Sequence, residues 1–397
     1  MKSINKNTVV VKNEIELQNV IANNTSVVLA EQESSLQNTN PSVGIDLNSY
    51  NNVVCIDRAK KEITVQSGIS LEKLYVLIEA CGWSIPCIPS NSKQMLCNAI
   101  NHGAHGSNGQ LLGNYIVNFR LISAYGKCKE IKEEDIEINA VKFSLGKLGI
   151  FSEITFRCEE KAEFHITATS QKTEVWLTTL EESIDTYDYL KINWFPHTKY
   201  MYIQKGNKID KSSKQKKKRS LVHQKDIQNK KKSIYGFVKK NPKAIVRANK
   251  ILRNLFYRKS KEQIGSLYTT TTSRTATSNK FKTSWFLPVG LLSSFFQELE
   301  AVLVDKDQKV YMPAPVEINF LQKDSILMSP AYQQDVVVIN YETEYMSEHS
   351  VVVINQFFRD KGAKPCGEQL LHLSDIDLKK LYPNYKEFQK LTNTLYT

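Results

Sequence analysis

The 397 residues of this chain are enough for two domains with sizeable cores, and a hydrophobic content of 41% is typical of a globular protein. No uninterrupted apolar run approaches the roughly 18–20 residues that a membrane-spanning helix requires, which argues against an integral membrane protein. The N-terminal sequence has no long apolar segment with a small-residue cleavage site, so we expect no secretory signal. The seven cysteines are scattered without a CxxC pair, which favours a reducing, cytoplasmic location over a disulfide framework or a zinc site.

The formal net charge of +12 is concentrated in one segment. Residues 205–261 contain 21 lysines and arginines against two acidic residues, whereas the rest of the chain has 32 basic and 39 acidic residues. The rest of the chain is therefore mildly acidic, and residues 205–261 form a strongly basic insert. A partner attracted by positive charge would bind this insert.

In chain order, residues 8–160 alternate short β-rich runs with short helical patterns, as in an α+β or α/β domain. The predicted strands are 8–11, 26–29, 53–56, 63–66, 119–124 and 150–156. Helices are predicted at 14–22 and 71–81, where apolar residues recur at i, i+3 and i+4. Ser70 is the expected N-cap of the second helix, and Gly82 is its expected stop.

A second region begins near residue 161, and its pattern predicts a large antiparallel sheet with a helix. The predicted strands are 162–169, 190–195, 200–203, 316–320, 336–341 and 351–357, and the predicted helix is 291–304. The tail, 375–395, has a helical pattern that Pro383 interrupts.

The basic insert divides into two parts. Residues 211–232 are rich in lysine and almost free of apolar side chains, which predicts a solvated, mobile loop. In residues 233–261, apolar side chains fall at helical spacing with basic ones between them, which predicts a basic amphipathic helix. Such a helix either lies on an anionic membrane surface or packs on its own domain and displays its lysines to water. Nucleic acid is not expected as a partner, because no recognisable reading motif is present.

A polar run at 98–109 combines asparagines, histidines, a serine and three glycines shortly after the apolar stretch 82–88. Glycine lets the backbone approach a ligand closely, and consecutive free N–H groups suit an anionic phosphate. The alternative is an ordinary polar loop, since the same residue types dominate turns. Two further stretches bear on the choice: a strand–turn–helix pattern at 63–74 and a glycine-paired turn feeding a strand at 144–156.

In this order and at these distances, the three stretches resemble the PCMH-type FAD-binding domain of the vanillyl-alcohol oxidase superfamily, most closely its aldonolactone oxidases and dehydrogenases (L-gulono-, D-arabinono- and L-galactono-lactone enzymes). Residues 314–332 and 364–383 are similar to two segments of the same branch, "EvRf…D…lSpay" and "rPHWGK…L…LYP". The resemblance implies an α+β fold. It has a two-subdomain FAD-binding domain at 1–160, and a cap domain with a large antiparallel sheet at 161–374 that carries the basic insert at about 205–261. A helical segment at 375–397 returns to the FAD domain.

The implied activity is FAD-dependent oxidation of a sugar-derived aldonolactone, as by a D-arabinono-1,4-lactone oxidase. Hydride passes to flavin N5, and oxygen or another acceptor reoxidises the flavin. The residues that the resemblance places at the cofactor are Gln32, Ser34, Ser35, Gln94, Asn98, Asn101, His102, His105, Gly106, Ser107, Gly149 and Ile150. Those that it places at the catalytic face are Glu317, Asn319 and Gln369. The two histidines have an alternative role, which is to hold the turn.

The chain departs from the family at four points. Residues 30–35 replace the family's "GSGHS" loop without glycine or histidine, which predicts non-covalent FAD and places Glu31 and Glu33 near its diphosphate. Asn319 replaces an arginine and Gln369 a lysine, so two cations that stabilise developing negative charge are gone. Cys366 replaces a histidine and is expected to be a small buried thiol without chemistry.

These departures leave three interpretations of the chain. The first is a divergent FAD-dependent aldonolactone oxidoreductase, with peripheral attachment to an anionic membrane through residues 233–261 as an option. The second is a catalytically inactive homologue that serves as a binding or scaffold module. The third is a flavoprotein with a substrate other than a lactone.

Overall fold

A computed structural model describes residues 8–24, 26–29, 43–209, 224–236, 238, 241–271, 282–366 and 373–396. The described part of the first 160 residues forms a three-stranded sheet, a five-stranded sheet and a two-stranded pair, together with helices. The strands are β1 (Thr8–Val10), β2 (Val27–Leu29), β3 (Val43–Asp46), β4 (Val53–Asp57), β5 (Glu62–Gln66), β6 (Trp83–Ser84), β7 (Ile116–Ile122), β8 (Cys128–Lys132), β9 (Ile150–Arg157) and β10 (Glu159–Glu160). The helices are α1 (Glu14–Ala22), α2 (Leu71–Ala80), α3 (Leu96–Asn101) and α4 (Ile138–Val141).

These strands make a parallel sheet in the order β1-β3-β2 and an antiparallel sheet in the order β4-β5-β9-β7-β8, while β6 and β10 pair separately. The predicted ends of α2 are confirmed. The side chain of Ser70 accepts a hydrogen bond from the backbone of Lys73, and the chain leaves the helix through Gly82 at φ +82°. The short helix α3 is a difference from the predicted loop, because residues 96–101 are helical and the turn begins only at His102.

From residue 163 the chain builds one large sheet. Its strands are β11 (Glu163–Lys172), β12 (Tyr189–Phe195), β13 (Tyr200–Ile209), β14 (Lys261–Gly265), β15 (Lys282–Pro288), β16 (Val316–Leu321), β17 (Val336–Glu342) and β18 (Lys364–Pro365). Their order is β14-β11-β13-β12-β16-β17-β15-β18, and the neighbouring strands pair in antiparallel fashion. The helices of this region are α5 (Thr173–Leu177), α6 (Leu180–Thr186), α7 (Gln224–Tyr235), α8 (Ile245–Phe256), α9 (Leu267–Thr271), α10 (Leu292–Val304) and α11 (Glu348–Asp360).

The predicted strand at 351–357 is wrong, because this segment lies within α11. Its run of three valines favours a strand locally. The buried residues Ser350, Ile354 and Phe358 nevertheless recur every four positions, and Ser347 caps the helix through the backbone of Ser350. Burial of that helical stripe outweighs the β propensity of the valines.

The insert also differs from its prediction. Residues 224–232, expected to be part of a mobile lysine-rich loop, lie in α7 (Gln224–Tyr235), and residues 211–223 lie outside the described ranges. The apolar face of α8 is largely internal, since Ile245, Ala248 and Leu252 are fully buried in a small core with Tyr235 and Tyr345. Of the two interpretations of this helix, the structure favours packing on its own domain.

The tail forms α12 (Asp375–Leu381) and α13 (Tyr385–Tyr396), separated at Pro383 as expected. Its side chains Leu378, Tyr382, Tyr385 and Phe388 are buried in the same core as the first 160 residues. In the parts of the chain that the structure describes, no helix combines the length and the apolar character needed to cross a bilayer.

Candidate active site

The polar run 98–109 lies between the first region and the large sheet. The backbone of Leu190 in β12 donates to the carbonyl of Ser107 (2.9 Å), and the backbone of Gln322 donates to the carbonyl of Gly109 (2.8 Å). The hydroxyl of Ser107 donates to Oδ1 of Asn319 in β16 (2.7 Å). The run predicted to hold the cofactor is thus joined directly to the strand predicted to carry the catalytic face.

Glu317 and Asn319 stand on one face of β16, because residues two apart in a strand point the same way. The amide nitrogen of Asn319 donates to Oε1 of Glu317 (3.3 Å). Asn193 of β12 pairs with Glu317, so Lys191 of β12 shares that face, and its Nζ lies 2.9 Å from Oε2 of Glu317. A connected polar chain therefore runs from Ser107 through Asn319 and Glu317 to Lys191.

Lys191 is a residue of the site that was not predicted. Burial disfavours its charge, but the charge and hydrogen bond of Glu317 together with Tyr189 outweigh burial, and the pKa of Lys191 lies above its ordinary value. Its signal in the sequence is a charged side chain inside a strand that is otherwise mostly apolar. Without the pairing of β12 with β16, that signal does not reveal the partner.

His102 and His105 are both neutral at physiological pH, because burial lowers the pKa of each ring, to about 4 for His102. Nδ1 of His105 lies 3.2 Å from the carbonyl oxygen of Gly103, a contact that fixes the turn. Nε2 of His102 is buried and finds no hydrogen-bond partner among the described residues. A buried ring nitrogen without a protein partner suits a ligand with hydrogen-bonding groups.

The turn at 144–150 faces α3. The hydroxyl of Ser144 donates to Oδ1 of Asn101 (2.9 Å). Gly146 adopts φ +71°, and a Cβ placed there would meet only the amide nitrogen of Asn101, at 3.8 Å. Open space beside a buried amide, close in sequence to the unpartnered His102 nitrogen, fits a polar cofactor such as FAD.

Other predicted cofactor residues serve internal packing in addition to any contact with a ligand. A Cβ on Gly106 would lie 2.6 Å from the backbone nitrogen of Ile88, and one on Gly149 would lie 2.3 Å from the carbonyl oxygen of Ile122. The carbonyl of Gln94 accepts from the backbone of Leu71 at the start of α2 (3.0 Å). These positions therefore shape the protein as well as the site.

The remaining predicted residues have the following places. Asn98 is buried in α3, and Ile150 begins β9 opposite Ile122. Burial raises the pKa of the Cys366 thiol to about 12, so the thiol stays protonated at neutral pH. Gln32, Ser34, Ser35 and Gln369 lie outside the described residues, as does the loop at 30–35.

A second network holds the start of β16. The hydroxyl of Tyr235 donates to the carbonyl of Ala314 (3.2 Å) and accepts from its backbone nitrogen (3.0 Å). Nδ2 of Asn249 donates to the carbonyls of Pro196 (2.8 Å) and Met312 (3.0 Å). Helices α7 and α8 of the basic insert thereby fix the segment that leads to Glu317.

Two family profiles match the chain: "D-arabinono-1,4-lactone oxidase" over residues 154–395 and "FAD binding domain" over residues 7–132. L-gulonolactone oxidase from Scyliorhinus torazame is 24% identical over 372 residues, which are 88% of this chain and 81% of the relative. The L-gulonolactone oxidase of Mus musculus is 24% identical, over 87% of this chain and 80% of the relative. The D-arabinono-1,4-lactone oxidase of Kluyveromyces lactis is 26% identical, over 42% of this chain and 33% of the relative.

Among solved structures, a solvent-stable cholesterol oxidase is similar at TM-score 0.67 and 14% identity, over 91% of this chain and 83% of that one. Cholesterol oxidase from Brevibacterium sterolicum is similar at TM-score 0.64 and 12% identity, over 91% and 82% of the two chains. These likenesses confirm the predicted fold class, and the FAD-binding-domain match confirms the predicted cofactor. Because the lactone oxidase profile covers more than half of its length, the chain belongs to the D-arabinono-1,4-lactone oxidase family, in the aldonolactone branch of the vanillyl-alcohol oxidase superfamily, and is an FAD-dependent oxidoreductase.

Proposed function

We propose that the chain oxidises a sugar-derived aldonolactone of the D-arabinono-1,4-lactone type at a carbon that bears a hydroxyl group. The observation that carries the proposal is the polar chain Ser107–Asn319–Glu317–Lys191, which brings a carboxylate to the junction of the FAD-binding region and the large sheet. The chemistry that FAD supplies when bound is acceptance of a hydride at flavin N5, with reoxidation by oxygen or another acceptor.

The side chains of the site divide the remaining work. Glu317 accepts the proton of the substrate hydroxyl as the hydride leaves the same carbon, which is the task of a general base. Asn319, fixed by Ser107, orients the carboxylate through its amide. His102, Asn101 and the turn at 144–150 hold the cofactor without a covalent bond. Acid precipitation of the protein is then expected to leave the flavin in the supernatant.

The experiment is a turnover assay with a panel of aldonolactones, the matching open-chain aldonic acids and a sterol. Lactone oxidation that exceeds oxidation of the open-chain acids supports the proposal. Oxidation of a compound other than a lactone supports the altered-substrate interpretation. Retained flavin without turnover of any compound supports a binding module.

We also propose a division of the chain at about residues 160 and 374. It is supported by the change from the five-stranded sheet to the eight-stranded one between β9 and β11, and by burial of the tail in the first core. Limited proteolysis is expected to release a fragment whose first residue lies near residue 160, between β9 and β11. Fragments that end inside β9 or β11, with none that begins between these strands, would contradict this division.

A further proposal places the protein at the surface of an anionic membrane. It is supported by the side of α8 that faces solvent, where Ile251 and Leu255 are 45% and 58% exposed beside the exposed Arg247, Lys250 and Arg258. Flotation with anionic liposomes at low salt is the test, with a double Ile251→Ser, Leu255→Ser variant that leaves the buried face intact. Equal flotation of both proteins would reject insertion of this face.

A further inference from the structure

Lys191 lies in a mostly buried strand, where desolvation of a charged side chain is unfavourable. It lies in β12 between Leu190 and Ile192, both buried, and its side chain is 21% exposed. Its partner Glu317 is 23% exposed, and the two charged groups are 2.9 Å apart. A partly buried ion pair of this kind contributes little net stability, but loss of one partner leaves the other charge uncompensated.

Lys191 is a titratable neighbour of Glu317 that carries a positive charge at neutral pH. The titratable groups that interact electrostatically with Glu317 include Lys191, His105, Tyr189 and Tyr257. Burial lowers the pKa of His105 and raises that of both tyrosines, so these three are neutral at pH 7. Lys191 is protonated, because Glu317 and Tyr189 together hold its pKa above the ordinary value against the effect of burial.

The position two residues after Glu317 does not supply a charge. Asn319 is neutral, and its amide is shared between Ser107 and Glu317. Lys191 reaches the same carboxylate from the neighbouring strand, at the oxygen that Asn319 does not contact. The two oxygens of Glu317 are thus held from two strands, one by an amide and one by an ammonium group.

We propose that Lys191 is a positioning residue of the active site, whose ammonium group keeps Glu317 ionised and oriented and supplies the positive charge that Asn319 lacks. An ammonium group has three N–H donors, and the pair with Glu317 uses one of them. The others are available to the oxygen atoms of a polyhydroxylated substrate. A cation contributed by β12 therefore compensates for the missing arginine of β16.

The kinetic test rests on the proposed function. A positive charge beside a carboxyl group lowers the pKa of that group by about 1–3 units. Lys191→Met removes this charge, so the pKa of Glu317 is expected to rise in the variant. The acidic limb of the kcat/KM profile is therefore expected to move up by about 1 unit or more in Lys191→Met and to return towards the wild-type position in Lys191→Arg. Lys208→Met is the matched control, since Lys208 of β13 is paired with Glu159 at the surface. An unmoved limb in Lys191→Met would overturn the proposal.

A second readout does not need turnover. In isotope-edited infrared spectra, Lys191→Met is expected to show a protonated carboxyl band that persists to higher pH than in wild type and that disappears in Lys191→Met, Glu317→Gln. In thermal unfolding, the single variant is expected to be less stable than this double variant, since only the single variant keeps a carboxylate that has lost its ammonium partner. Identical carboxyl titration in wild type and Lys191→Met would overturn the proposal even if lactones are oxidised. If no lactone is oxidised but the band shifts, the proposed function fails and the role of Lys191 towards Glu317 stands.

Discussion

Two hydrogen-bonded networks hold β16, and they differ in charge and burial. The network at its middle, Ser107–Asn319–Glu317–Lys191, is charged and partly exposed at the junction with the FAD-binding region. The network at its start, built on Tyr235 and Asn249, is neutral and fully buried. The comparison indicates that the two networks have different roles in the same strand. The charged network positions the groups proposed for chemistry, and the neutral network fixes the strand that carries those groups.

The largest expected effect comes from the charged network. Glu317→Gln removes the proposed base but keeps the size of the side chain and its contact with Asn319. We expect kcat to fall by about 10²–10⁴-fold, the usual contribution of general base catalysis. Steady-state kinetics measures this, and flavin absorbance should remain close to wild type, whereas the unfolding temperature is expected to fall because Lys191 loses its carboxylate partner. A decrease of less than tenfold would contradict the role of Glu317.

The neutral network is expected to affect stability first. Asn249→Ala removes the donors to the carbonyls of Pro196 and Met312 and leaves both acceptors buried. The free energy of unfolding should fall by about 3 kcal/mol, because each unsatisfied buried group costs about 1–3 kcal/mol. Urea unfolding measures it, with the exposed Asn254→Ala on the same helix as the control. Equal stability of the two variants would show that this network does not hold the strand.

The pH dependence of stability should identify a third member of the neutral network. Nε2 of His197 accepts a hydrogen bond from the backbone of Met312 (3.3 Å), and burial lowers the pKa of His197 from 6.5 to about 4. A depressed pKa means that its contribution is complete above pH 6.5 and is lost as the pH falls from 6.5 towards 4. The free energy of unfolding should fall by roughly 2 kcal/mol over this pH range. This value is smaller than the full pKa shift would give, because the ring is partly exposed.

His197→Asn tests this directly. His197 adopts φ +65°, a conformation that asparagine tolerates better than most residues. The variant should unfold with a weaker dependence on pH between 6.5 and 4 than wild type in chemical denaturation series. If both proteins lose the same free energy across that range, the dependence arises elsewhere.

The smallest expected effect sharpens the comparison within the neutral network. Tyr235→Phe keeps the buried ring but removes the hydroxyl that bridges Asn249 and Ala314. The free energy of unfolding should fall by about 1 kcal/mol, the net value of a typical hydrogen bond. KM for the lactone should change little, as the charged network is untouched. A large rise in KM with unchanged stability would reverse the roles assigned to the two networks.

Sequence motifs predicted the site where its residues are contiguous. The run 98–109 and the pair Glu317 and Asn319 were assigned to the candidate site by the resemblance to the aldonolactone oxidases, and the structure joins them through Ser107. Lys191 was missed because its partner depends on which strand pairs with β12, and β16 follows it by more than a hundred residues. Strand pairing of that range is set by tertiary packing, which local patterns do not encode.

The errors in the predicted fold have the same origin. The valines at 351–353 have high β propensity, but packing of Ile354 and Phe358 against the large sheet makes the segment helical. The apolar stripe of α8 was correctly identified as one face of a helix, yet the sequence did not distinguish a lipid surface from the protein's own core. Gly106 was expected to let the backbone approach a phosphate, and its backbone also passes so close to Ile88 that a Cβ would clash.

The most direct test of the account is the absorbance spectrum of the purified protein, recorded without oxygen before and after addition of an aldonolactone. The account predicts flavin bands in the near-UV and blue regions that bleach when the lactone is added, and that bleach far more slowly in Glu317→Gln. Protein that shows no flavin bands and gains none on incubation with FAD, or flavin that no lactone reduces, would contradict it.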